Sequence, residues 1–360
     1  MKKITWCGVA QSPYNDFLLS ALNKSFDVEV YYQLKKMETH PWEIKSVDYK
    51  LNYTAGNFFK AIKRVLSSDI VMVSGWSDWE HILIMLIPMK KVKKVYWTDT
   101  PDLKKEKWSG LKGYTRRLLV KLVFHTFDEV WSTGKPGCAA LEKLGCEKRK
   151  IKSFPFFHDL TRYPNIPSDK VNKALVFKNK YRNPNTEVIF LVMGQIASRK
   201  RFDDAIKALA NLKNDRAVLW IVGTGPQEAE LKLLASKLNI ADAVKLIGWL
   251  QPDDVELAFI SADVFMHPSE FDPFPTVVLD AMTWGKPIIG THEAGSVVDR
   301  VEQGKNGFVY TTGDLPQLTR HMGFFVENQR EIVNFGLASR KTACDYPVSI
   351  AIDRFQNLLQ

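Results

Sequence analysis

The sequence predicts an α/β protein built as two doubly wound domains, each around a parallel sheet. Three observations predict it. Short runs rich in Val, Ile and aromatic residues alternate with longer segments of helical periodicity. That rhythm breaks once, at the proline-bearing stretch HDLTRYPNIPSDK, and then restarts. A chain of 360 residues also has the length of roughly two domains.

In the first half the strands read KITWCGV, DVEVYYQ, DIVMVSG, KKVYWTD and DEVWSTG, and the helices between them include residues 12 to 25, 56 to 67 and 78 to 90. In the second half they read EVIFLVMG, AVLWIVG, VKLIGWL, DVFMHPS, KPIIGT and GFVY. Residues 1–165 and 166–345 are the expected domains.

Hydrophobic residues make up 45% of the chain and charged residues 25%, which excludes a disordered or fibrous protein. The opening MKKITWCGVAQSPYNDF has no long apolar core of a signal peptide, and the longest apolar run, ILIMLIPM, is far short of the ~20 residues of a membrane span. A cytoplasmic location is expected. Cys7, Cys138, Cys146 and Cys344 lack CxxC or metal-ligand spacing and read as small core residues in a reducing compartment. Residues 1–165 carry 28 Lys and Arg against 17 Asp and Glu, an excess of 11, whereas the rest carries 22 against 23. Two readings stay open for this basic half: a polyanionic partner, or a surface that simply favours solubility. No nucleic-acid module or basic-aromatic platform is present, so nucleic acid is not the expected partner.

In doubly wound sheets ligands sit beyond the carboxyl ends of the strands. The stretch HPSEFDPFPTVVLDAMTWGKPIIG, residues 267–290, lies at such an end. TVVLDAMTW reads as a short helix closed by Gly285, with Pro275 at or just before its start. Free N–H groups and the dipole at that start suit a phosphate or a sugar oxygen. Asp272 sits beside this terminus and Asp280 two turns along. Either they take hydroxyls from two parts of one ligand, or Asp272 caps the helix and Asp280 is solvated.

In VMGQIASRKRFDDAIKALA a strand ends at Gly194, and Arg199, Lys200 and Arg201 stand before the next helix. Three adjacent cations repel unless an anion such as a diphosphate bridges them, or water solvates them. IVGTGPQEAELK places Gly223 and Gly225 between strand and helix, a weak signal because glycine is the default in any tight turn.

Taken together and in this order, the loops from about 186 to 310 resemble the nucleotide-sugar-binding half of the group 1 retaining glycosyltransferases, of the GT-B fold. The residues that carry the likeness are Asp272, PFPTVVL, Asp280 and AMTWGKPIIG, followed by EAGSVVDRVEQGKNGFVY. The resemblance is specific in the second half and architectural in the first. It implies two Rossmann-like domains facing a central cleft, with 1–165 binding the acceptor and 166–345 the nucleotide sugar. The final YPVSIAIDRFQNLLQ, about 346–360, would cross back to the first domain, with Tyr346 and Pro347 at the crossing.

The implied activity is retaining transfer from a nucleotide-diphosphate sugar to a hydroxyl of a glycan or lipid-linked acceptor, in envelope or surface polysaccharide synthesis, with neither metal nor other cofactor. By resemblance Asp272 contacts donor-sugar hydroxyls, Asp280 the ribose, and Lys200 the phosphates. Gly194, Arg199, Gly223, Gly225, Phe274, Thr276 and Val277 complete the donor surroundings. Gly8 lies in the opening loop CGVAQSPYNDF that would approach the phosphates. Asp99, in VYWTDTPDL, stands where many members have a histidine, and either orients the sugar or stabilises positive charge at its anomeric carbon, or caps the loop that follows it.

Three departures accompany the likeness. Both acids are Asp where Glu is usual, Gln195 replaces a frequent arginine, and EAGS keeps only Gly295 of a glycine pair. The alternative is therefore a catalytically inactive protein of this fold that binds nucleotide sugar or glycan. The most basic segment, KWSGLKGYTRRLLVKLVFHTF, sets Leu118, Leu119, Leu122 and Val123 against Arg116, Arg117 and Lys121. It fits an anionic membrane surface, or packing of that apolar face against the sheet.

Overall fold

All eleven expected strand runs form strands in the computed structural model, which describes residues 1–35, 46–75, 79–103, 110–162 and 166–360. The first sheet contains β1 (Lys3–Ala10), β2 (Asp27–Leu34), β3 (Lys50–Tyr53), β4 (Ile70–Ser74), β5 (Lys93–Thr98), β6 (Glu129–Ser132) and β7 (Ile151–Ser153). Its strands are parallel in the order β3-β2-β1-β4-β5-β6-β7. The second contains β8 (Val188–Met193), β9 (Ala217–Val222), β10 (Val244–Gly248), β11 (Val264–His267), β12 (Ile288–Thr291) and β13 (Gly307–Tyr310). These too are parallel, in the order β10-β9-β8-β11-β12-β13. Central strands such as β8 and β9 are buried along their whole length, as a parallel sheet covered on both faces requires.

The helices of the first half are α1 (Pro13–Asn23), α2 (Phe58–Leu66), α3 (Trp79–Leu86), α4 (Gly110–His125) and α5 (Gly134–Lys143). Next come α6 (Ser168–Tyr181), α7 (Phe202–Leu212), α8 (Glu228–Lys237), α9 (Pro252–Ser261) and α10 (Thr276–Thr283). The chain closes with α11 (Gly295–Arg300), α12 (Leu315–Glu327), α13 (Gln329–Cys344) and α14 (Ser349–Asn357). Two compact units result: Met1–Asp159 with Pro347–Gln360, and Leu160–Tyr346. In the first, α1 and α14 pack on one side of the sheet and α2 to α5 on the other. Phe355 of α14 is fully buried, its ring 5.3 Å from Trp131, so the last helix belongs to the core of the first unit. In the second, α7, α8, α12 and α13 cover one face and α9, α10 and α11 the other.

Several expectations need correction. Strands β3 and β7 were not anticipated: both are short edge strands, and KLNY and IKS carry no apolar run to announce them. Gly8 lies inside β1, not in a loop, and a Cβ there would meet the Tyr32 ring at 2.9 Å, so its glycine has a packing reason. In α4 the buried residues are Val120, Val123 and Phe124, while Leu118, Leu119 and Leu122 face solvent. The stretch from 104 to 109, and residues 78 and 163–165 of the expected helix and linker, lie outside the described residues. Cys7 and Cys146 are buried, with burial pushing their thiols up to about 12 and about 11. Cys344 is exposed and is no core residue. Among the described residues no helix is long and apolar enough to cross a membrane.

Candidate functional site

The second sheet runs outward from β8 in one direction to β9 and β10, and in the other to β11, β12 and β13. The strand order therefore reverses between β8 and β11, and in sheets of this kind ligands bind at the carboxyl ends of the strands at such a reversal. Two loops meet there: 194–201 after β8, and 268–275 after β11. The Arg199 carbonyl ties them by accepting from the Glu270 N–H and the Ser269 hydroxyl, each at 2.9 Å. The Arg199 guanidinium returns a hydrogen bond to the Phe271 carbonyl at 3.3 Å. From β12, the Thr291 hydroxyl donates to the Ser269 carbonyl at 2.6 Å.

Asp272 is fixed by its backbone first. Its N–H donates to the Glu293 carbonyl at 3.1 Å, and its own carbonyl accepts from the Gly295 N–H at 3.0 Å. Gly295 permits this approach because a Cβ would stand 1.9 Å from the Pro273 carbonyl oxygen. The side chain then faces two partners through a single oxygen. Oδ2 accepts from the buried Lys200 ammonium and from His267 Nε2, the latter at 3.1 Å. Oδ1 has no protein hydrogen bond among the described residues.

Burial raises the Asp272 carboxyl, but the hydrogen bond from His267 and the Lys200 charge outweigh it and hold the group well below the usual carboxylate range. Burial and the Lys200 charge together hold His267 below its ordinary value, against the pull of Asp272. An ionised carboxylate only accepts, so Nε2 carries the imidazole proton and Nδ1 is bare. Nδ1 is buried and without a hydrogen-bond partner among the described residues. The histidine is thus a neutral donor that steadies an ionised acid.

The three cations do not crowd one another. Lys200 pairs with Asp272, and Arg199 holds a carbonyl. Arg201 turns away, donating to Asp204 at 2.6 and 3.1 Å, with Glu270 at 3.7 Å. Its backbone is left-handed, φ 50°, and this bend sends three neighbouring side chains in different directions.

Pro275 is the N-cap of α10, and no side-chain hydrogen bond caps the helix. Asp272 is therefore not its cap. Thr276 and Val277 open the helix with N–H groups that have no partner one turn back. Phe274 is buried beside them, and Asp280 is half-buried on the fifth helical residue. Gly285, φ 64°, ends the helix as expected.

The remaining glycines serve the backbone. A Cβ at Gly223 would lie 1.9 Å from the Gly194 carbonyl oxygen, and one at Gly225 2.2 Å from that of Ile196. Gly194 itself, φ 141°, sits beside Lys200, whose Nζ is 3.9 Å from where a Cβ would be. Lys200, Asp272, Gly194, Phe274, Thr276 and Asp280 thus belong to one unit at one sheet edge. Asp99 belongs to the first unit, exposed just past β5, where Oδ1 accepts from the Thr100 N–H at 3.1 Å and the Thr133 hydroxyl at 2.8 Å. That geometry matches the loop-cap reading. His267 and Ser269 were missed, although HPS opens the very stretch that carries Asp272.

Comparison with known proteins agrees with this architecture. Residues 175–342 match the family of glycosyl transferases group 1. An uncharacterized glycosyltransferase of Haemophilus influenzae is 29% identical over 197 residues, 54% of this chain and 55% of its own. The lipopolysaccharide core biosynthesis glycosyltransferase LpsE of Rhizobium meliloti is 29% identical over 145 residues, 40% of this chain and 41% of its own. The chain spans about half the length of the curated relatives it matches. The crystal structure of Anabaena HepE in complex with UDP is similar at a TM-score of 0.79 and 17% identity, covering 100% of this chain and 99% of that one. The fold is thus GT-B, with two Rossmann-like parallel-sheet domains, and the matched residues 175–342 lie within the second unit.

Proposed function

We propose that the protein is a retaining glycosyltransferase that moves a sugar from a nucleotide-diphosphate donor to a hydroxyl of a glycan or lipid-linked acceptor in polysaccharide or envelope synthesis. One observation carries the reading. Lys200 and His267 hold Oδ2 of Asp272 and leave Oδ1 of an ionised, largely shielded acid to accept hydroxyls of the donor sugar. Lys200 keeps further N–H donors for the diphosphate, and the N–H groups of Thr276 and Val277 at the α10 start add to them. Asp280 takes the ribose hydroxyls. The relatives' names support the process: LpsE is described as acting in lipopolysaccharide core biosynthesis, and HepE was crystallised with UDP.

As the sugar–phosphate bond breaks, negative charge grows on the leaving diphosphate, and Lys200 with the helix start stabilises it without a metal. The acceptor hydroxyl attacks from the face the diphosphate leaves, and a phosphate oxygen takes its proton, so no protein base is required. The first unit takes the acceptor. The same reading places the chain in the cytoplasm, peripheral on a membrane.

The test is turnover of a panel of nucleotide-diphosphate sugars, with lipid-linked and soluble glycan acceptors, read as nucleoside diphosphate released. One donor should react, in chelator as well as without it, and the product should keep the donor's anomeric configuration by NMR. No release from any donor would favour the inactive binding protein. Loss in chelator would sink the metal-free scheme, and an inverted product the retaining one.

A further inference from the structure

Helix α4 buries Val120, Val123 and Phe124 against the sheet, and its opposite side is apolar as well. Leu111, Tyr114, Leu118 and Leu122 recur at steps of three and four, which aligns them in one ridge. They are 80%, 67%, 52% and 60% exposed. At about 100° per residue, Arg117 and Lys121 fall on one flank of the ridge, while Arg116 falls towards the side of Val120 and Val123. All three are exposed, and the helix contains no Asp or Glu.

A second helix also turns apolar residues outward. Helix α3 lies on the same side of the sheet and turns Ile82, Leu83 and Leu86 outward. The Thr126 hydroxyl, just past α4, donates to the Met85 carbonyl of α3 at 3.3 Å, so the carboxyl ends of the two helices adjoin. An exposed apolar ridge such as that of α4 marks an interaction site on a soluble chain.

Charge selects the partner. Leucines rimmed by cations with no acid on the same helix match the boundary of an anionic bilayer, where apolar side chains enter the acyl layer and Arg and Lys stems reach back to the phosphates. The excess of 11 cations over acids falls wholly within residues 1–165, the part of the chain that carries this helix. We propose that the outer face of α4 docks the protein on a bilayer containing anionic lipid, with the exposed apolar residues of α3 adding to it. This names a surface for the peripheral placement above, and its test needs neither donor nor turnover, so it stands or falls separately from the transferase reading.

The experiment is co-sedimentation of the full chain with vesicles of phosphatidylglycerol in phosphatidylcholine, and of phosphatidylcholine alone. The wild type should bind the anionic vesicles and be released by salt. Leu118→Glu/Leu122→Glu and Arg116→Gln/Arg117→Gln/Lys121→Gln should each lose at least about tenfold in binding while keeping the wild-type melting temperature, because every changed side chain is exposed. Failure of the wild type to bind, equal binding to both vesicle types, or unchanged binding by both variants would overturn the proposal. So would a concentration-dependent dimer that the Leu→Glu pair dissolves in a chain that ignores vesicles, since the ridge would then be covered by a second copy.

Discussion

Replacing Asp272 by Asn tests whether the ionised acid organises the site. The substitution keeps shape and an acceptor but removes the charge that Lys200 and His267 converge on. The Lys200 and Asp272 side chains are only 9% and 12% exposed, so the pair is largely shielded from water. Removing one partner of such a pair costs about 3–5 kcal/mol. Asn still accepts a hydrogen bond from Lys200, which places the expected loss near the lower end, about 3 kcal/mol. For a domain of roughly 150–250 residues this lowers the melting temperature by about 6–12 °C.

The pH dependence sharpens the test. The folded Asp272 carboxyl lies below its unfolded value, so its contribution is complete above about pH 4 and is lost as pH falls below that. His267, also lowered, adds a loss that begins below about pH 6.5, because the unfolded state gains a proton the folded state resists. Calorimetric melts of wild type and Asp272→Asn at pH 7 and at steps down the acid side would show a gap that is full near neutrality and narrows below about pH 4. A variant within about 0.5 kcal/mol of wild type at pH 7, or a gap that ignores pH, would refute the reasoning.

Three further outcomes are expected. His267→Phe keeps a ring against Phe265 but deletes the donor to Asp272, so the carboxyl should titrate higher and the acid limb of the stability curve should move up in pH, measured by the same melts. Gly223→Ala forces a Cβ against the Gly194 carbonyl at φ 133° and should destabilise the second unit by roughly 3 kcal/mol or more in urea unfolding; an unchanged midpoint would mean that β8 and β9 do not end as closely as described. Phe355→Ala removes a buried ring from the Trp131 and Phe154 cluster and should lower the stability of the first unit by about 3–5 kcal/mol, with little change in the second unit's transition.

Where sequence reading succeeded, one physical signal dominated. Strands buried on both faces need uninterrupted apolar runs, and FLVM and VLWIV, short and each soon followed by glycine, fit them. The edge strands β3 and β7 have one neighbour each and little to bury, so KLNY and IKS gave no such signal. In α4 apolar residues occur on both sides of the helix, and periodicity alone does not say which side meets the sheet. The spacing of Asp272 and Asp280 was legible, but the His267 contact was not, since a histidine five residues before an acid at a strand end reads as core. The pairing of Arg201 with Asp204 was not read from the sequence, and the left-handed bend at Arg201 explains how it clears Lys200.

The central claim is that the site at the carboxyl ends of β8 and β11 binds a nucleotide-diphosphate sugar. A thermal-shift panel of nucleoside diphosphates and nucleotide sugars, with and without chelator, on wild type and Asp280→Ala tests it most directly. One nucleotide present at about a hundredfold above its Kd should add about 2.7 kcal/mol, or roughly 5–10 °C, persist in chelator, and be lost in Asp280→Ala. Silence across the whole panel, or an equal shift in the variant, would contradict the donor site.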